Sequence, residues 1–187
     1  MSALIKQDIH LTYEDYCQLD TDQRMEIING VPIVMQAPSI AHQTVVINLS
    51  FEFKSYFKGK TCRPFVAPVD VRINYDQRDD KIVQPDLLVV CDPRTLEDGQ
   101  ALKGAPDLIV EIVSPSSAKY DRVTKFNLYQ EAGVKEYWLV DTVNQIVEVF
   151  VLENERYVAF DRNEEVVKSA LFPDLMVTYE AIFDGIK

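Results

Sequence analysis

Two runs with the make-up of buried strands each carry an acid where a strand of that kind should have none. The first is Gln84-Pro85-Asp86-Leu87-Leu88-Val89-Val90-Cys91, and the second is Asp107-Leu108-Ile109-Val110-Glu111-Ile112-Val113. Asp86 opens its run and Glu111 lies near the end of its own, so antiparallel pairing makes the two carboxylates neighbours. Directly opposed residues in such a pair sit roughly 5 Å apart at Cβ. Two carboxylates at that spacing repel unless a cation or a proton intervenes. A hard divalent cation with oxygen ligands resolves the conflict, so the pair reads as a metal site. The bland alternative is a strand-end acid beside a solvent-facing one.

Strand periodicity sharpens the point. Side chains alternate faces, which groups Asp86 with Leu88 and Val90, and Glu111 with Asp107, Ile109 and Val113. Four residues of strand separate Asp107 from Glu111 by ~13 Å. That is too far to share one ion, and Asp107 reads as a strand-entry residue.

The elements that must position this pair read as mixed α+β, a sheet core with helices packed on it. Thr12 caps a short helix through about Leu19. Asn29-Gly30 between Met25–Ile28 and Val31–Met35 signals an N-terminal hairpin, with Pro32 marking an edge strand. A helix follows over Ile40–Phe57, with Val45, Ile47, Leu49, Phe53 and Phe57 as its apolar face. Pro68–Asn74 alternates as a strand and is expected beside the Asp86 run. Its Asp70 shares a face with Arg72 and Asn74, and is either a solvated strand acid or a third metal ligand. Asp92–Pro106 reads as a loop. After the Glu111 run, Ser114 and Ser116 read as helix-entry residues, and a helix spans about Lys119–Ala132, stopped by Gly133. Glu136–Asp141 reads as a strand. Gln145–Leu152 and Arg156–Phe160 form a C-terminal hairpin around Glu153-Asn154-Glu155. Ala170–Lys187 mixes a short strand with a helix.

Bulk properties narrow the function. The 187 residues fit a single domain spanning 1–187. No apolar run approaches the ~20 residues that span a bilayer, and the N-terminus shows no signal-peptide pattern. Cys17, Cys62 and Cys91 form no CxxC pair, and a reduced cytoplasmic setting is expected. Two histidines, His10 and His42, argue against zinc held by histidine and cysteine. The net charge of −11 argues against a generic DNA-binding module, because such binding rests on phosphate neutralisation. It weighs less against a metal-dependent enzyme whose acids cluster at the site. The chain has no GxSxG, no P-loop and no paired histidines at ligand spacing. Trp138, Tyr137 and Tyr129 read as packing residues.

Pro85-Asp86 followed after an interval by Glu111 resembles the PD-(D/E)XK nuclease motif. The stretch from Gly104-Ala105-Pro106-Asp107 through Val110-Glu111-Ile112-Val113-Ser114-Pro115-Ser116 resembles one branch of it, the Uma family of restriction-endonuclease-like proteins. So do Lys125, Tyr129, Gly133-Val134-Lys135-Glu136-Tyr137-Trp138 and Asp141, together with Glu26-Ile27-Ile28-Asn29-Gly30 and His42. The resemblance covers nearly the whole chain. It implies a restriction-endonuclease-like α+β fold, a central mixed β-sheet flanked by helices, and Mg²⁺-dependent (or Mn²⁺-dependent) hydrolysis of DNA. It also implies a homodimer, for which the apolar strand Val147–Val151 offers a pairing edge.

The chain departs from the superfamily at one position. The motif ends in a lysine two residues after the acid, and here that residue is Val113. Lys125, in the following helix, is the candidate replacement, with Lys119 a weaker rival. Asp121 and Lys125 stand i,i+4 on one helix face, which could also be a plain surface pair. Catalysis is thus expected from Asp86, Glu111 and Lys125, with Asp86 and Glu111 on the metal. Glu26, His42 and Asp70 are accessory candidates, Glu26 in parallel with the accessory glutamate of related nucleases. The alternative expectation is a nuclease-like scaffold that no longer cuts and serves as a dimeric binding or assembly module.

Overall fold

The structure is a computed structural model that describes residues 10–96, 99–115, 117–160 and 165–186. Its centre is a six-stranded mixed sheet built from β3 (Arg63–Val66), β6 (Leu87–Val90), β8 (Leu108–Val113), β9 (Glu136–Asp141), β10 (Ile146–Glu153) and β11 (Arg156–Phe160). The order across the sheet is β11-β10-β9-β8-β6-β3. Only β8 and β9 run parallel, joined by the crossover helix that follows β8. A second sheet has the order β2-β1-β5-β4-β7, from β1 (Met25–Ile28), β2 (Val31–Val34), β4 (Val71–Arg72), β5 (Ile82–Val83) and β7 (Leu102–Lys103). A third pairs β12 (Val166–Lys168) with β13 (Met176–Thr178). The α+β expectation therefore holds, with hairpins at both expected places.

Local sequence explains the sharp boundaries. Thr12 and Asp15 form a reciprocal capping box on α1 (Tyr13–Cys17). Asn29 and Gly30 both take positive φ, 52° and 78°, the turn geometry that a two-residue hairpin needs. The same holds for Asn154 and Glu155 in the β10–β11 hairpin. Ser39 caps α2 (Ile40–Phe57), its side chain accepting from the His42 N–H.

The central sheet separates two cores. On one face Leu87, Val89, Leu108, Val110, Ile112 and Trp138 pack against Val45, Leu49, Phe53 and Phe57 of α2. On the other, Leu88, Val90, Ile109, Val113, Tyr137 and Leu139 meet α3 (Phe126–Ala132) through Leu128 and Tyr129, and the second sheet through Val71, Val83 and Leu102. A short helix, α4 (Tyr179–Phe183), joins the α2 side through Ile182 and Phe183. Among the described residues no helix is long and apolar enough to cross a membrane.

Several expectations are corrected. Pro68–Asn74 contributes only the two-residue β4, and that strand lies in the second sheet; the neighbour of the Asp86 strand on that side is β3. Asp92–Pro106 contains a 3₁₀ turn, Pro93–Leu96, and β7. Ile47 is 68% exposed and stands off the apolar face of α2, because it sits about half a turn from Val45 and Leu49. Val147–Val151 cannot serve as a dimer edge, since β10 is flanked by β9 and β11. Cys62 and Cys91 fall opposite each other where the β3–β6 register, Arg63 against Val90, is extended by one residue. They are joined in a disulfide, and Cys17 is free and exposed.

Candidate active site

The β6–β8 register pairs Leu87 with Val110 and Leu88 with Ile109. One residue further, Asp86 falls opposite Glu111; the Glu111 side chain meets Lys125 and Tyr129, while Asp86, at the bend before the strand, lies within reach of His42 of α2. Asp86 stands just before β6, and its Oδ2 accepts the Ile112 N–H at 2.8 Å. That bond ties the carboxylate to the neighbouring strand. His42, in the first turn of α2, brings Nε2 to 3.1 Å from the same oxygen.

Glu111 is 3% exposed. Its Oε1 accepts from Lys125 Nζ at 2.9 Å and from the Tyr129 hydroxyl at 2.6 Å. Lys125 and Tyr129 are four residues apart, so they rise from one helix face to one oxygen. Tyr120–Lys125 forms a π-helical turn leading directly into α3. The Phe126 N–H donates to the Asp121 carbonyl, an i→i+5 bond that widens the helix where Lys125 must turn inward.

Glu26, on β1, holds the other side of Lys125. Its Oε1 lies 3.0 Å from Nζ and accepts the Gln84 N–H at 2.8 Å, while Oε2 accepts from the Tyr120 hydroxyl at 2.9 Å. Asp121 Oδ1 stands 3.9 Å from Nζ. Lys125 is thus buried to 1% exposure among three carboxylates. The surface Asp121–Lys125 pair considered as an alternative is not what forms.

The electrostatics follow from this crowding. Burial pushes the Glu111 carboxyl well above the usual range; Lys125 opposes that rise, and Asp86, Asp121 and Glu26 add to it. Burial disfavours charge on Lys125, yet Glu111, Glu26 and Asp121 hold its ammonium well above the usual lysine value. Burial also raises Asp121 against the pull of Lys125. Asp86 moves the other way: burial raises it, but the His42 hydrogen bond and charge, the Ile112 N–H and Lys125 together hold it low. His42 is lowered by burial and raised more by Asp86, with a smaller push from Gln43. Gln43 makes no hydrogen bond to Nδ1, which is buried without a partner among the described residues.

The donor set suits a hard divalent cation. Asp86 Oδ1 and Glu111 Oε2 take no hydrogen bond among the described residues, and neither is sealed away as His42 Nδ1 is. No group of three His, Cys, Asp or Glu side chains with metal-ligand convergence occurs among the described residues. Two carboxylates, with waters and phosphate oxygens completing the shell, are what Mg²⁺ accepts. Structural or catalytic zinc asks for three or four protein ligands.

The remaining candidates fall elsewhere. Asp70 makes no contact with Asp86 or Glu111; its Oδ1 accepts from Gln84 Nε2 at 2.7 Å, one residue removed from Glu26. Burial raises its carboxyl. Lys119 is exposed, and Val113 is buried in the α3-side core. Asp107 stands before β8, accepting the Cys91 N–H at 2.7 Å and paired with Lys135 at 2.6 Å. Ser114 exchanges hydrogen bonds with Ser117 at the helix entry, while Ser116 lies outside the described residues. Trp138 and Tyr137 are fully buried.

Reasoning from sequence missed Tyr129, Tyr120 and Gln84 as members of this network. Tyr129 was findable, because it stands i+4 from Lys125 on the same face. Gln84 carried a fainter signal, a polar residue between Ile82-Val83 and Pro85-Asp86.

Known proteins resemble this chain in sequence and in fold. Residues 12–180 match the Uma2 family, described as "putative restriction endonuclease". An uncharacterized protein of Synechocystis is 30% identical over 143 residues, covering 75% of this chain and 73% of its own. A second uncharacterized Synechocystis protein is 27% identical over 135 residues, covering 70% of this chain and 75% of its own. The crystal structure of "a putative nuclease belonging to DUF820" from Anabaena variabilis superposes with a TM-score of 0.75 at 21% identity, over 95% of this chain and 99% of that one. That likeness shows the fold to be the one the sequence suggests. Motif order, architecture and match length converge: the chain belongs to the Uma2 restriction-endonuclease family.

Proposed function

We propose that the chain is a metal-dependent endonuclease that hydrolyses DNA phosphodiester bonds. Asp86 and Glu111 would hold Mg²⁺, and Lys125 would stand in for the motif lysine absent at Val113. The observation that carries this reading is the meeting at Glu111: Asp86, one residue beyond the Leu87–Val110 pair, accepts the Ile112 N–H, and the Lys125 ammonium lies 2.9 Å from Glu111 Oε1. Four carboxylates, Glu111, Glu26, Asp121 and Asp86, crowd around one ammonium. A divalent cation relieves that excess of negative charge.

When bound, the ion supplies charge neutralisation at the phosphate and a water of lowered pKa. The chain's own residues do the rest. His42 and the Ile112 N–H fix Asp86 through Oδ2, which leaves Oδ1 for a ligand. Lys125 and Tyr129 fix Glu111 through Oε1, which leaves Oε2. The Ile112 carbonyl is a further candidate ligand. Both oxygens of Glu26 already have partners, so its role is to hold Lys125 rather than to bind metal. The ammonium lies where it can orient the attacking water or a non-bridging oxygen as charge develops. Hydrolysis consumes one water and breaks one P–O bond, leaving a phosphate monoester and a hydroxyl.

The test is plasmid nicking by purified protein with Mg²⁺ or Mn²⁺. The parent should nick, and Asp86→Asn and Glu111→Gln should lose about 10²-fold or more, several kcal/mol of transition-state stabilisation. Equal nicking by parent and both variants sinks the assignment. Val113 and the net charge of −11 favour a second reading, a non-cutting dimeric scaffold. That reading requires a parent that neither nicks nor binds the ion.

A further inference from the structure

We propose that the groove between α2 and β3 is a track for a single nucleic-acid strand that leads into the Asp86–Glu111 site. The inference rests on the catalytic reading above and names the form of the substrate. The groove has a volume of about 660 Å³, and its walls include Ser50, Phe51, Lys54, Ser55 and Lys58 of α2 and Phe65 of β3. Its floor reaches Leu87, the residue after Asp86, and Val66, which pairs with Leu87 in register. The Ala67 N–H donates to the Asp86 carbonyl at 3.2 Å, so one end of the groove adjoins the main chain of Asp86. α2 links the same two places, because His42 in its first turn touches Asp86.

Charge separates this surface from the rest of an acidic protein. No acid lines the groove. Glu52 is the one acid in α2, and its position is over a quarter-turn away from Phe51 and further from Lys54 and Lys58. Neither Lys54 nor Lys58 has an ion pair among the described residues, whereas Arg94, Arg122, Lys125 and Lys135 are each tied to carboxylates. Phe51 is 69% exposed, and Ile47 stands one turn before it at 68%. Free lysines interleaved with an exposed aromatic ring make the pattern that binds a strand: cations meet phosphates and the ring stacks on a base. The Phe51 ring can stack only on a base face that is not already stacked within a duplex, so the pattern fits a single strand.

The probe is a fluorescein-labelled 12-mer DNA strand, followed by anisotropy in EDTA so that no cleavage occurs. Lys54→Glu combined with Lys58→Glu should weaken binding at least 10-fold. It should also flatten the slope of log K against log salt by about 1.4, two phosphate contacts at roughly 0.7 each. Phe51→Ala should weaken it roughly 5-fold or more. Affinities within two-fold of the parent overturn the track. So does a blunt duplex of the same sequence that competes as well as the strand. Light scattering on the same samples adds a third check: a dimer that falls to monomer in the variants with DNA affinity unchanged makes this face a subunit interface and overturns the proposal. Turnover of bis(p-nitrophenyl) phosphate with Mn²⁺ needs only the site, and the lysine variants should match the parent. A parent without that turnover counts against the catalytic reading, while the anisotropy result stands on its own.

Discussion

At the scale of single residues, Lys125 carries the most. Its ammonium is buried and meets Glu111 and Glu26 at 2.9 and 3.0 Å. Lys125→Met leaves both carboxylates buried without their cation, a change that costs about 3–5 kcal/mol. Chemical denaturation of parent and variant checks it, and a loss under 1 kcal/mol would show that the ammonium is not the counter-ion described. The His42–Asp86 pair gives a pH signature. Asp86 is depressed, so its contribution is present above the unfolded carboxyl value and lost as pH falls through the folded one. His42 is raised, so its contribution is full below about pH 6.5 and lost as pH rises through its folded value. The stability gap between parent and His42→Asn should therefore be widest between about pH 4 and 6.5 and shrink at higher pH. Thermal melts across pH read it directly, and a gap that grows with pH contradicts the pair.

At the scale of elements, the β6–β8 register decides the site. A slip of one residue would carry Asp86 away from the Ile112 N–H and leave Glu111 without its neighbour. This was legible in advance because both runs are apolar and each breaks pattern at a single position. The Asn29-Gly30 hairpin and the bounds of α2 were legible for the same reason, since local turn and cap chemistry fixes them. What escaped was set by tertiary contact. β4, β5 and β7 are two residues each, too short to show a period. β3 contains Pro64 and hid behind it. The sequence sets Asp70 beside Asp86 only because Pro64 masks β3 as the true neighbour. The inward turn of Lys125 depends on a π-helical widening that no i,i+4 count reveals. The disulfide likewise needs the β3–β6 register to be seen. Cys62 and Cys91 close a loop of 29 residues, worth about 3–4 kcal/mol in the chain-entropy account. Cys62→Ser/Cys91→Ser should lose about that much, and reductant should shift the parent by the same amount while leaving the variant unmoved. A parent indifferent to reductant contradicts the pairing.

At the scale of the whole molecule, the proposed function requires a chain of net charge −11 to meet a polyanion. The acids are not spread evenly in their effect. Glu111, Glu26 and Asp121 converge on one ammonium with Asp86 nearby, where a cation can offset them. The acid-free groove along α2 gives a strand a route past the remaining negative surface. The central claim is that Asp86 and Glu111 together form the ion's seat. The measurement that bears on it most directly is a Mn²⁺ titration followed by the electron paramagnetic resonance of the free ion, on the parent and on Glu111→Gln. The account predicts one or two ions bound per parent chain, and none, or binding weakened at least 10-fold, in the variant. A parent that leaves all the Mn²⁺ free, or a variant that binds as the parent does, contradicts it.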